Sequence, residues 1–136
     1  MKLNPYLLFD GNCEAALQFY ERALGAKTLS VMRYDGTPAC AQMPGDMKSK
    51  VLHARFAVGE MVVMASDCPP DRYSKPQGCA VALVADKPAE AERLFQALAE
   101  GAQVTMPIEK TFFAERFGML TDKFGIPWMV SCEQPA

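Results

Sequence analysis

The two halves of the chain resemble each other, and this duplication limits the folds that the sequence can adopt. Residues of the same type recur at one constant offset, which pairs Asp10 with Asp86, Glu14 with Glu90, Phe19 with Phe95 and Gly25 with Gly101. Each copy takes up about half of the 136 residues, whereas solenoid repeats are only ~20–50 residues long and more numerous. The duplication predicts two similar modules that pack together, with a ligand cleft where they meet.

The first copy predicts the element order β, α, β, β, β. An apolar strand covers residues 3–9, and Asn12 is expected to cap a helix that Gly25 ends in the left-handed conformation. Residues 35–49 are rich in turn-forming residues and predict a long loop. The remaining strands of this copy are expected at 26–34, 51–58 and 61–66, with a hairpin turn at Gly59.

The second copy repeats this order. Its helix is expected to begin at Asp86 or Lys87, with Pro88 in the first turn, and to end at Gly101. Apolar residues recur along that helix at the spacing of a buried face. The strands of this copy are expected at 79–85, 104–108, 117–122 and 126–132.

The expected fold class is α+β, with two paired βαβββ modules. Module one covers about residues 1–68 and module two about 77–136, both within a single domain of residues 1–136. The proline-rich segment Cys68–Pro76 is expected to join the modules, because proline cannot donate to a sheet. With one helix for each module, curved antiparallel or mixed sheets are expected to surround the cleft.

Composition argues against several functional classes. A net charge of −2 does not favour nucleic acid or an anionic membrane as a partner, because both need a basic surface. No apolar run approaches the ~20 residues of a membrane-spanning helix. The five cysteines are odd in number and lack a CxxC spacing, which argues against a disulfide framework and a zinc site. Reduced thiols in the cytoplasm are the expectation.

Several segments together carry a family likeness. They are Asn4-Pro5-Tyr6-Leu7, Phe9-Asp10-Gly11-Asn12-Cys13-Glu14-Ala15-Ala16, Phe19-Tyr20, Leu24-Gly25, His53-Ala54, Ser66-Asp67, Phe117-Gly118-Met119, Phe124-Gly125 and Trp128-Met129-Val130. As a set they resemble the vicinal oxygen chelate superfamily, which includes glyoxalase I, extradiol dioxygenases and bleomycin- or fosfomycin-resistance proteins. Within it, the sequence is most similar to the PhnB-like branch, also described as 3-demethylubiquinone methyltransferase-like.

The resemblance implies a βαβββ pair that assembles as a homodimer. Metal enzymes of the superfamily hold their ion with a His on the first strand and a carboxylate on the last strand of each module. The matching positions here fall at or beside Pro5, Cys79 or Ala80, Val63 and Met129, and none supplies a His or a carboxylate. We therefore expect no metal and no cofactor. The sequence also lacks the glycine-rich fingerprint that a methyltransferase of the usual kind contains.

The candidate site residues are one histidine and a set of apolar side chains. His53 is the candidate for general acid–base catalysis, because imidazole titrates near neutral pH; a structural hydrogen bond is the alternative. Aromatic residues and methionine make good walls for apolar ligands, although ordinary core is the alternative for each. The expected cleft wall consists of Tyr6, Val63, Phe112, Phe113, Trp128 and Met129.

Reactive cysteines are a further possibility that the sequence leaves open. Cys40, Cys68 and Cys79 could include a reactive thiol if a basic neighbour or a helix N-terminus lowers its pKa. Cys13 lies at the predicted N-terminus of the first helix, but it also belongs to the buried stripe of that helix. A reactive role and a core role are therefore both open for Cys13.

Three functional hypotheses follow from these observations. The first is a protein that binds a small apolar or planar molecule in the cleft without metal. The second is a metal-dependent lyase, dioxygenase or transferase of the superfamily with a displaced metal site. The third is a non-catalytic structural or interaction protein. The missing metal ligands favour the first and third over the second, and the polarity of the cleft distinguishes the first from the third.

Overall fold

The computed structural model describes residues 1–135, apart from the side chain of Gln42. The chain divides into two compact units, Met1–Ser74 and Lys75–Ala136. The end of the second predicted module, Ala136, lies outside the described residues.

The first unit contains one helix and one sheet of four strands. The sheet order is β1-β4-β3-β2, with β1 parallel to β4 and the other neighbouring pairs antiparallel. Two short 3₁₀ turns, Pro38–Gln42 and Gly45–Met47, lie in the predicted loop. In chain order the elements are β1 (Tyr6–Phe9), α1 (Cys13–Leu24), β2 (Lys27–Arg33), β3 (Val51–Val58) and β4 (Met61–Asp67).

The second unit repeats this arrangement with the sheet order β5-β8-β7-β6. Its first and last strands are again parallel neighbours, and the remaining pairs are antiparallel. The α+β class and the duplicated βαβββ order predicted from the sequence are confirmed. The elements are β5 (Val81–Ala85), α2 (Pro88–Leu98), β6 (Gln103–Glu109), β7 (Ala114–Thr121) and β8 (Pro127–Glu133).

Helix α1 forms because its apolar residues recur on one face and its ends are well defined. Cys13, Leu17 and Tyr20 are among the residues that this face buries. Gly25 follows the helix with φ of 68°, a left-handed conformation that glycine adopts without a Cβ penalty. The predicted cap at the other end is wrong in detail, because Asn12 occupies the N-cap position without a side-chain bond to the helix.

The strand boundaries differ from prediction where proline or packing decides. β1 begins only at Tyr6, although the carbonyl of Pro5 still accepts a hydrogen bond of 2.9 Å from Met64 N–H. β7 begins at Ala114, three residues earlier than expected, because its N-terminal end continues to pair with β8 as far as Glu133. Within the described residues, neither helix has the length and hydrophobicity that a membrane span requires.

Candidate functional site

Each sheet has a face that packs against the helix of its own unit and a face that turns away from it. In β1, Leu7 and Phe9 are buried, whereas Tyr6 and Leu8 are 44% and 43% exposed. The alternation of a strand therefore points Tyr6 and Leu8 away from α1. We call this side the distal face of the first sheet, and it carries Tyr6, Leu8, His53, Arg55 and Met64.

The residues of β3 alternate in the same way. Ala54 and Phe56 are fully buried, and the Phe56 ring stacks on Tyr20 of α1 with 5.7 Å between centroids. His53 and Arg55 alternate with these two residues and so belong to the distal face. Strand register places Met64 opposite both Tyr6 and Arg55.

A side-chain hydrogen bond joins two of the predicted site residues. The Tyr6 hydroxyl lies 3.1 Å from Nδ1 of His53, and the ring centroids are 5.6 Å apart. A phenol is a stronger donor than a neutral imidazole N–H, and imidazole nitrogen is the stronger acceptor. We therefore assign the phenol as donor to Nδ1, which leaves the proton of neutral His53 on Nε2. His53 then presents an N–H donor rather than a free base.

Arg55 adds a cation to the same face. It lies two residues after His53 on β3 and is exposed. No ion pair or hydrogen bond of its guanidinium occurs among the described residues. Arg55 was not among the site residues predicted from the sequence, although its place two residues after His53 on a predicted strand is a signal for it.

Two of the six predicted wall residues face a helix instead. Val63 is 5% exposed and lies opposite Phe56, which packs on α1. Trp128 is 1% exposed, and its indole Nε1–H donates to Oδ2 of Asp122 at 2.8 Å. Trp128 lies opposite Leu120, two residues from Gly118, where a Cβ would meet the ring of Phe95 on α2. Val63 and Trp128 therefore belong to the two cores.

The other three predicted wall residues of the second unit are exposed in part or almost completely. Met129 alternates with Trp128 and so turns away from α2, opposite Met119. Phe112 is 93% exposed and Phe113 52% exposed, in the loop between β6 and β7. Their rings meet edge to face at 5.1 Å, so the structure brings these two residues together.

A cleft of about 480 Å³ lies at the N-terminus of α1 within the first unit. Its charged groups already have partners, because Arg33 pairs with Glu14 and Lys50 Nζ donates to the Gly11 carbonyl at 2.8 Å. Asn12 Oδ1 is buried there without a hydrogen-bond partner among the described residues. A second cleft of about 390 Å³ is lined by loop residues that include Pro69 and Pro70. No cation that lines the first cleft lacks a described partner, whereas the second cleft is also lined by Arg72, an exposed arginine whose side chain makes no described ion pair.

Asp67 is the true cap of α1. Its Oδ1 accepts a hydrogen bond from Cys13 N–H and its Oδ2 one from Val51 N–H, both at 2.9 Å. Tyr34 donates its hydroxyl proton to the Asp67 carbonyl at 2.8 Å. This buried carboxylate therefore ties β4 to the helix start and to the start of β3.

The surroundings of Cys13 decide between the reactive role and the core role that the sequence left open. The pKa of the Cys13 thiol is raised from 9.0 to about 12, chiefly by burial and in smaller part by the charges of Asp67 and Glu14. These effects outweigh the helix N-terminus, which favours a thiolate. Cys13 is therefore an inert core thiol. Burial also raises the pKa of Cys68, so its thiol is disfavoured as a nucleophile at neutral pH.

The described residues do not supply the donors that a metal ion of this fold needs. Among residues 1–135, no three His, Cys, Asp or Glu side chains gather in a metal-binding arrangement. The chain's single imidazole uses Nδ1 for Tyr6. Asp67, which lies on the last strand of the first unit, directs both oxygens to backbone N–H groups. The residues present therefore do not fit such an ion.

Comparisons with known proteins agree in fold over nearly the whole chain. A model of the Glyoxalase/Bleomycin resistance protein/Dioxygenase superfamily matches residues 2–130. The chain is 34% identical to Protein YjdN of Escherichia coli strain K12 over 139 residues, which cover 96% of this chain and 95% of that protein.

Two solved structures have the same architecture. Protein PA1353 from Pseudomonas aeruginosa superposes with a TM-score of 0.88 at 46% identity, with 99% of each chain covered. The PhnB protein from Bacillus cereus superposes with a TM-score of 0.82 at 24% identity, with 97% of this chain and 99% of that one covered. The comparison with the Bacillus cereus protein shows a shared fold.

Proposed function

Because the chain belongs to the glyoxalase/bleomycin resistance protein/dioxygenase superfamily, we propose that it binds a small planar or apolar molecule on the distal face of its first sheet, without a resident metal ion. The superfamily resemblance predicted from the sequence is confirmed, and the fold is that of a PhnB protein. The inference that a ligand binds on this face rests on the geometry of this chain.

The observation that carries the proposal is the exposed, fixed ring of Tyr6. Its hydroxyl is anchored by His53, and Leu8 lies exposed beside it on the same strand face. An anchored aromatic side chain loses little conformational freedom when a flat ligand stacks on it. Stacking adds about 0.5–1.5 kcal/mol beyond the burial of apolar area.

Burial of apolar surface supplies most of the binding free energy. Covering about 200 Å² of apolar surface is worth roughly 5 kcal/mol before the costs of association. Stacking brings the gross gain to about 5.5–6.5 kcal/mol, so after the costs of association a bicyclic aromatic ligand is expected to bind in the millimolar range.

Isothermal titration with a neutral probe, 2-naphthamide, tests this function. Tyr6→Ala should weaken binding about tenfold, because stacking and burial are lost together. Phe112→Ala is the matched control, since Phe112 is an exposed aromatic residue of the other unit. Binding that survives Tyr6→Ala and is lost in Met129→Glu would contradict the proposed location and favour the face that carries Met129.

The compartment and the assembly belong to the same proposal. All five cysteines are free within the described residues, which supports a reducing cytoplasm as the place of action. A homodimer is proposed from the family resemblance. The exposure of large apolar side chains such as Phe112 and Val84 supports an interface of this kind.

A further inference from the structure

We propose that the ligand of the distal face is a planar carboxylate, whose anionic group is bound by the guanidinium of Arg55 and by Nε2–H of His53. This inference rests on the proposed function and specifies the class of ligand. It assigns a role to Arg55 and a donor role to His53.

Arg55 carries the argument because its charge is not neutralised within the described residues. Its neighbours on the distal face, Met64 and His53, are not acidic. Strands β1 and β3 contain no Asp or Glu, and the acidic residue of β4, Asp67, faces α1. A planar guanidinium with no acidic neighbour on its face matches a carboxylate in both charge and shape.

His53 supplies the second donor. With the Tyr6 phenol donating to Nδ1, Nε2 carries the remaining proton of the neutral ring. Tyr6 thus fixes both the ring orientation and the tautomer, as an orienting partner does for other functional histidines.

The spacing of the two donors suits one carboxylate. Residues two apart on a strand are about 7 Å apart at Cα and point to the same side. A carboxylate that accepts a hydrogen bond of about 2.9 Å at each oxygen bridges a gap of this order. The ring attached to the carboxylate can then lie along the apolar surface of Tyr6 and Leu8.

The test compares two probes that share one ring system. 2-Naphthoate and 2-naphthamide are titrated calorimetrically into wild type, Arg55→Gln and Arg93→Gln at near-neutral pH and low salt. Arg93 is an exposed arginine of α2 with no described partner, so Arg93→Gln makes the same change in net charge elsewhere.

Wild type and Arg93→Gln should bind 2-naphthoate about tenfold more tightly than 2-naphthamide. Arg55→Gln should remove this preference while leaving 2-naphthamide affinity unchanged, which also shows that the variant folds. His53→Phe should weaken 2-naphthoate about fivefold, a smaller loss because a neutral donor is removed.

The contradicting outcomes separate the two proposals. If wild type binds both probes equally well, the carboxylate inference is wrong and the proposed function stands. A preference for 2-naphthoate that survives Arg55→Gln also overturns the inference, because the charge that selects the acid then lies elsewhere. If neither probe binds wild type, both the inference and the proposed function fail.

Discussion

Asp67 joins three parts of the first unit through one buried carboxylate. It is the last residue of strand β4, caps helix α1 through Cys13 N–H and holds the start of β3 through Val51 N–H. Both N–H groups belong to fully buried residues. Without the carboxylate they would be left with no hydrogen-bond acceptor in the protein interior. Asp67 is therefore expected to contribute more to the free energy of unfolding than an exposed acidic side chain does.

Replacing Asp67 with Ala should lower the free energy of unfolding by about 3 kcal/mol, because two buried N–H groups lose their acceptor. Urea unfolding followed by circular dichroism measures the change. Asp71→Ala is the matched control, since Asp71 is exposed and should change stability by no more than about 0.5 kcal/mol. Equal stability of the two variants would show that Asp67 does not cap α1.

Cys13 and Cys79 should differ widely in reactivity. The pKa of Cys13 is raised to about 12, chiefly by burial, so about one thiol in ten thousand is ionised at about pH 8. Cys79 is exposed. Iodoacetamide labelling followed by peptide mass spectrometry should modify Cys79 in the native protein and Cys13 only after denaturation. Early labelling of Cys13 would contradict its core role.

The same pKa shift gives an alkaline pH dependence of stability. The folded-state pKa lies above the ordinary value of 9.0, so the fold favours the protonated thiol. This contribution is complete below about pH 9 and is lost as the pH rises toward about 12. Cys13→Ala should therefore show a shallower fall in unfolding free energy across that window than wild type, measured by urea unfolding at each pH.

At the scale of elements, helix α1 and strand β7 depend both on local sequence patterns and on packing against another element. The start of α1 has the residue type of a cap at Asn12, yet the capping bond comes from β4. In β7, Gly118 lies beneath α2, where Phe95 leaves no room for a side chain. Both features depend on a second element packing nearby.

Asn12→Ala should leave the free energy of unfolding nearly unchanged. An N-cap Asn normally contributes about 1 kcal/mol, but this side chain makes no cap bond, and its Oδ1 is buried without a described partner. Thermal unfolding of the variant measures the effect. A loss of about 1 kcal/mol or more would show that Asn12 caps the helix in solution.

Gly118→Ala should destabilise the second unit by about 2 kcal/mol through overpacking. A Cβ there would lie 2.8 Å from the Phe95 ring and 2.9 Å from the backbone of Ile108. Gly45→Ala is the matched control, because no atom lies within 4 Å of a Cβ at Gly45. Urea unfolding of both variants makes the comparison, and equal stability would mean that α2 does not pack against β7 this closely.

At the scale of the whole molecule, the family resemblance predicts a homodimer. Sedimentation equilibrium at micromolar concentration should give a mass near twice the 14.9 kDa of the chain. An obligate interface of this kind buries upwards of about 2,000 Å² and is rich in apolar side chains. A single species of 14.9 kDa across the concentration range would show that the chain is a monomer.

The duplicated βαβββ order could be predicted because the signals for it are local. Helical periodicity marked both helices, and glycine at Gly25 and Gly59 marked a helix end and a hairpin. These signals depend on residues within a few positions of each other in the chain. They are therefore visible without knowledge of the packing.

Tertiary structure alone decided which side of each strand became the distal face. Alternation shows that Val63 and Met64 point to opposite sides, but only the packing of α1 selects Val63 for the core and leaves Met64 beside Tyr6. The Tyr6–His53 bond joins residues 47 positions apart, and the Asp67–Cys13 bond joins residues 54 positions apart. Such contacts are set by strand register, which arises when distant segments pair.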